Sequence, residues 1–162
     1  MQADVMFWLE ALSYGVTILG FPAAIFVILR EERLRRVNEE HEMHRHLSEE
    51  YDTFLRLVLD NSDLLLLSRR NPPAPLDGEQ LERADIMFRM VVSLFEKAYI
   101  ILYSDGMQGD ALRRWLSWED DMRDWCRRPD FRARLPEMLE GEDDAFSAYL
   151  LKLAQQEADR AG

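Results

Sequence analysis

The sequence is poor in the groups from which reactive sites are usually built. Its one cysteine, Cys126, cannot form an intrachain disulfide, which fits a reducing compartment. Against 31 Asp and Glu it carries only 20 Lys and Arg, a net charge of −11. A chain so acidic lacks the broad basic face that nucleic-acid phosphates need, so general nucleic-acid binding is not expected. It has no Gly-rich phosphate loop, no Cys/His zinc spacing, no nucleophile elbow and no paired His–Glu metalloprotease motif. On these grounds neither an enzyme nor a cofactor or metal is expected. No segment alternates apolar and polar residues with period two, which argues against strands. Gly and Pro are missing from residues 30 to 61, leaving nothing there to interrupt a helix.

One further absence organises the chain. Between Ala11 and Leu29 there is no charged residue over 19 positions. As a helix, at ~1.5 Å per residue, this run is roughly 28 Å long, close to the hydrocarbon thickness of a bilayer. Residues 7–29 are therefore expected to form a single transmembrane helix, with residues 1–6 as a short extracytoplasmic N-terminus. Phe7, Trp8 and Tyr14 suit the outer headgroup region, and Arg30, Arg33, Arg35 and Arg36 follow the run directly. By the positive-inside rule the arginines place the rest of the chain in the cytoplasm, beneath a bacterial inner membrane. A cleaved signal peptide fits less well, because the first residues are acidic and arginines stand where a small-residue cleavage site belongs.

Within the run, Glu10, Ser13, Thr17, Gly20 and Ala24 recur at spacings of 3, 4, 3 and 4, on one helical face. Gly20 and Ala24 form a small-xxx-small pair that lets two helix backbones approach closely. The stripe points to self-association or to a partner membrane helix. A sharper alternative arranges several copies around a water-filled path with Glu10 as an outer acidic ring, a pore-forming or membrane-perturbing effector. Pro22 predicts a local kink, since it has no N–H for the carbonyl of Ile18.

Residues 30–46 read as a charged juxtamembrane helix continuing the anchor, with Glu31–Arg35 and Glu32–Arg36 as i,i+4 pairs. His41, His44 and His46 lie close together here, but with no Cys nearby and only ordinary acidic neighbours they do not make a metal site. Arg36-Val-Asn-Glu-Glu-His41 matches the R-x4-H pattern and resembles that of HEPN ribonucleases, which would make Arg36 and His41 catalytic. A ribonuclease would still have to bring RNA to an acidic chain.

Residues 47–158 are expected to form a cytoplasmic domain of four to five helices, followed by a tail at 159–162; the fold class is all-α. The first helix runs from about Leu47 to Leu59. Asn71 to Gly78, with three prolines, is an extended loop. Glu79 to Tyr103 carries the broadest apolar stripe, from Leu81 through Phe88 and Phe95 to Leu102, widened by Met90, Val92 and Ile101. Gly106 is expected to cap that helix in the left-handed conformation. From Gly109 to Cys126, Trp115, Trp118, Met122 and Trp125 repeat at 3, 4 and 3. That is one face rich in indole, a packing core or an aromatic platform for a ligand, with core the favoured reading. Arg127 to Asp130 is read as a turn, then a short helix interrupted or started near Pro136, then a last helix from about Asp143 to Ala158. Glu96, beside Phe95, is the acid most exposed to partial burial, its plainer reading being a pair with Lys97, Arg89 or Arg113.

The residues Phe95-Glu96-Lys97-Ala98-Tyr99, then Trp115 and Trp118, then Trp125 with Pro129 and Phe131, resemble a loose group of bacterial single-pass membrane proteins with cytoplasmic helical domains. The resemblance spans roughly residues 50 to 155 and implies an accessory or interaction role. Some small membrane-anchored helical proteins serve phage-defence systems, including accessories of type VI CRISPR systems, an analogy at the level of fold.

Overall fold

A computed structural model of the chain describes residues 30–32, 42–67 and 75–161. The chain divides into two units, Met1–Met43 and His44–Gly162. The expected span 7–29 lies outside the described residues, and among those described no helix is long and apolar enough to cross a membrane. The described residues are all-α, with no strand among them.

Helix α1 covers 42–60. Its inward stripe is Leu47, Phe54 and Val58, all buried, with Tyr51 half-buried between them, at spacings of 4, 3 and 4. The helix closes at Asn61, whose backbone N–H donates to Leu57 O (3.1 Å) and Val58 O (3.2 Å) while its side-chain amide donates to Leu57 O (2.9 Å). A single 3-10 turn, Ser62–Leu64, follows, and Leu65 then adopts the left-handed region at φ 51°. That conformation is costly for a branched side chain. It turns both Leu64 and Leu66 into the core, where they are fully buried. Arg128 holds the turn from across the fold, Nη1 donating to Leu65 O (2.7 Å) and Leu66 O (2.9 Å).

Helix α2, Gly78–Leu102, begins one residue earlier than its apolar stripe suggests because Asp77 and Gln80 form a reciprocal capping box. Asp77 Oδ1 accepts from Gln80 N at 2.8 Å, and Gln80 Oε1 accepts from Asp77 N at 3.0 Å. Ala84, Met87, Phe88, Val91, Val92, Leu94, Phe95 and Ala98 are buried along it. Leu81, Met90 and Ile101, which the sequence places with this stripe, stay largely exposed. Gly106 is left-handed (φ 78°) but does not cap the helix: Tyr103 N–H donates to Tyr99 O (2.9 Å), and the chain leaves in extended conformation three residues earlier. Stacking of the Tyr99 and Tyr103 rings, 4.7 Å apart, accompanies that exit.

Helix α3 is Gly109–Cys126, α4 is Pro129–Met138 and α5 is Asp144–Ala161. The expected turn at Arg127–Asp130 and break near Pro136 are both corrected. Pro129 starts α4, where its fixed φ suits the first turn and its missing N–H costs nothing. Pro136 lies inside α4, near its end, so only one intrahelical bond is forfeited before the helix stops. Asp143 caps α5, its side chain accepting from Phe146 N at 2.8 Å.

The core gathers on the indole face of α3. Trp125 meets Phe54 of α1 (5.7 Å between ring centroids), Phe88 of α2 (6.0 Å, edge-on) and Phe131 of α4 (5.8 Å). Trp118 meets Tyr51 of α1 at 5.5 Å, and Trp115 meets Tyr99 of α2 at 5.8 Å and Tyr149 of α5 at 5.6 Å. One helix face therefore touches every other helix of the bundle. Trp125→Ala would open a cavity shared by four helices and is expected to cost about 3–5 kcal/mol, read as a lowered urea midpoint.

Candidate functional site

Helices α1 and α2 run antiparallel. Glu50 pairs with Lys97 at one end (3.1 Å), and Asn61 and Asp63 accept from Arg83 at the other (2.6 and 2.8 Å). Between them, on the outer side, lies a groove of about 720 Å³. Buried Phe54 and Leu94 form its floor. Leu57, Ile86 and Met90 line it, yet remain 39%, 52% and 39% exposed. Isolated exposed leucines need no explanation, but here three large apolar side chains converge on one concavity.

The two rims differ in charge. The α1 rim carries His46, Glu49 and Glu50, and the α2 rim carries Arg89 and Lys97. His46 Nε2 lies 3.2 Å from Glu50, and Arg89 reaches Asp85 (3.1 Å) and Glu137 (2.6 Å). Of the hydroxyls in the groove, Thr53 donates back to Glu49 O (2.8 Å), as helix threonines commonly do. The site is thus an open concavity with an apolar floor and paired charges on its rims.

Two polar clusters lie elsewhere. Behind the groove, the Tyr51 hydroxyl of α1 hydrogen-bonds Asp121 of α3, and the buried Trp125 Nε1 faces that hydroxyl without a well-formed bond. Burial pushes the Asp121 carboxyl up to about 6; the Tyr51 hydrogen bond opposes this, and neighbouring Asp124 and Asp120 add to it. Tyr51 itself is raised, first by burial and then by the Asp121 charge.

The second cluster joins α3 to α5. Glu157, almost fully buried, accepts from Arg123 (3.2 Å), Arg127 (3.2 Å) and Arg160 (2.6 Å). Burial acts against its charge, but the hydrogen bonds from Arg127 and Arg123 outweigh it and hold the carboxyl below the ordinary value. From Arg123 the network continues to Glu119 (2.7 Å), which accepts the Tyr149 hydroxyl, and that oxygen accepts from Trp115 Nε1 at 3.1 Å. Every member has a partner, which is the condition for a buried ionic network to hold a fold together. Cys126 sits next to it, buried, its thiol pushed up to about 12 by burial and then by the Glu157 charge. A thiol so placed is not a nucleophile at neutral pH.

Of the residues singled out in the sequence, Glu10, Ser13, Thr17, Gly20 and Ala24 lie outside the described residues, as do Arg36 and His41. His46 is on the groove rim. Among the described residues no group of three or more His, Cys, Asp or Glu is placed to hold a metal. Trp115, Trp118, Met122 and Trp125 are all buried between helices. Glu96 does not pair with Lys97, Arg89 or Arg113. Its Oε1 accepts the backbone N–H of Asp143 (2.6 Å), so α2 holds the residue that caps α5. Glu142 also hydrogen-bonds it, and that contact, with burial, raises the Glu142 carboxyl.

The groove residues Leu57, Ile86 and Met90 had a faint signal: Ile86 and Met90 sit four apart on the flank of the α2 stripe, where an apolar residue is surplus to one buried face. Asp121 had one too, falling three residues after Trp118 and four before Trp125, beside the indole face. Comparison of the chain with protein-family models, with curated proteins and with solved structures finds no match.

Because the folded-state carboxyl of Asp121 is raised above its ordinary value, it favours folding at low pH, and that contribution is lost as pH rises through about 6. Asp121→Asn is expected to flatten the stability difference between pH 5 and pH 8. At pH 8 it should raise stability by on the order of 1 kcal/mol after allowance for solvent screening, read by denaturant titration at both values.

Proposed function

We propose that this protein is a membrane-anchored, self-associating helical interaction protein of a bacterial inner membrane. Residues 7–29 would be its single span and residues 44–161 its cytoplasmic binding bundle. The observation that carries the binding role is the groove between α1 and α2, where Leu57, Ile86 and Met90 remain exposed on a floor of buried Phe54 and Leu94. Apolar side chains kept at a concave surface cost solvation that a bound helix would recover, at roughly 25 cal/mol per Å².

The anchor reading is supported by the 19 uncharged residues from Ala11 to Leu29 and by the four arginines that follow within seven positions. Self-association is supported by the Gly20 and Ala24 spacing. At the groove the Thr53 hydroxyl and the His46 imidazole are each engaged by a neighbour on the same helix.

The test uses the full chain expressed in bacteria. The protein is expected to remain in the membrane pellet after an alkaline wash, and its C-terminal domain to be protected from protease added outside spheroplasts. Replacing Ile18 and Ile25 with Arg, at about 3 kcal/mol per charge near the bilayer centre, should release it to the soluble fraction. Wild-type protein found wholly in the soluble fraction would remove the anchor from this reading. Gly20→Leu with Ala24→Leu is expected to lower the order of crosslinked species in membranes.

A further inference from the structure

We propose that the occupant of the α1–α2 groove is the same groove of a second copy of this chain, related by a two-fold axis that runs along the helices. The argument rests on how charge is divided between the rims. Acid lies on α1, at Glu49 and Glu50 beside His46, and base lies on α2, at Lys97 and at Arg89, the latter already paired with Asp85 and Glu137. When two such two-helix layers face one another, the axis decides which rims meet. An axis across the helices sets α1 on α1 and α2 on α2, acid on acid and base on base. An axis parallel to them sets α1 of each copy over α2 of the other. Only the second arrangement brings unlike rims together, and it does so twice, because a two-fold interface repeats every contact.

Levels along the groove agree with this. Within one copy Glu50 is level with Lys97, and the helices run antiparallel from there. Across the axis Glu49 of one copy then approaches Lys97 of the other, and Leu57 approaches Met90. The rim groups are exposed enough to exchange partners, with 53% of the Lys97 side chain and 61% of the Glu49 side chain accessible. The apolar residues at the centre supply the area, and the rims supply register and orientation. The proposal specifies the site of the self-association proposed above, and it rests on that reading. Copies held in one membrane would raise each other's effective concentration, so a modest contact suffices.

Charge reversal tests it in the full-length protein reconstituted in lipid vesicles. The readout is a disulfide between copies carrying Leu57→Cys and copies carrying Met90→Cys, with Cys126 buried and inert as a background. A mixture of the two is expected to crosslink. Adding Glu49→Lys to both copies, or Lys97→Glu to both, should lower the yield about tenfold, since each places like charges opposite one another at both rims. Mixing copies that carry Glu49→Lys with copies that carry Lys97→Glu should restore it. In that pair one rim meets as Lys on Glu and the other as wild type. A fold damaged by losing the Glu50–Lys97 pair could not be rescued by mixing. Absence of the crosslink in membrane-bound wild-type background, or a yield indifferent to both reversals, overturns the proposal, and a groove that binds a different protein gives the former result. If the chain fails to partition into vesicles, the anchor falls instead, and the same crosslink read in solution still decides the groove.

Discussion

The bundle depends on one constraint: three indoles and a methionine on a single face of α3 must all leave water. Trp115, Trp118, Met122 and Trp125 recur at helical spacing, so burying one orients the helix to bury the rest. No single neighbour is wide enough for them. The face is shared out instead, Trp118 to Tyr51 of α1, Trp125 to Phe54, Phe88 and Phe131, and Trp115 to Tyr99 and Tyr149. Helices α1, α2, α4 and α5 thus surround α3 because each contributes aromatic surface to it. The polar residues on the flanks of that face are then placed by consequence. Glu119 and Arg123 come to face Tyr149 and Glu157 of α5, and Asp121 comes to face Tyr51 of α1.

That geometry also explains why a groove is left over. The inward stripes of α1 and α2 are spent on α3, and the two helices cross-link at their ends through Glu50–Lys97 and Arg83–Asp63. Their outer flanks still carry Leu57, Ile86 and Met90, with no sixth helix among the described elements to cover them. It is this uncovered apolar flank, with acid on one rim and Lys97 on the other, on which the proposed docking rests.

How much of this could be read in advance differs by kind of feature. The helices α2 and α3 were legible nearly to the residue, because long apolar periods and clear breaks at the proline loop and at Gly106–Gly109 bracket them. The region around Pro129 and Pro136 was misread. The sequence reading places Pro129 in a turn and an interruption or start near Pro136, whereas position within the helix decides: Pro129 is at the start of α4, and Pro136 forfeits one bond near its end. The indole face was legible as an apolar surface. Its division among four helices was not, since periodicity names a buried face without naming what lies against it. For Glu96 charge alone suggested a cation, and the fold supplied the amide of Asp143 instead.

By itself the sequence determined the local matters: helices throughout the described residues, an uncharged run of membrane length followed by arginines, and the faces along which helices would pack. These follow from the 3.6-residue period and from solvation, which act within a few turns of chain. Tertiary structure alone decided which apolar residues became core and which became groove. Val92 and Met90 lie two apart in one stripe, yet Val92 is buried and Met90 faces the groove. It also decided that Asp121 would be pressed against an aromatic core and Glu157 enclosed by three arginines. Burial and the partners of a charge depend on residues distant in the chain, and no local pattern encodes who those will be.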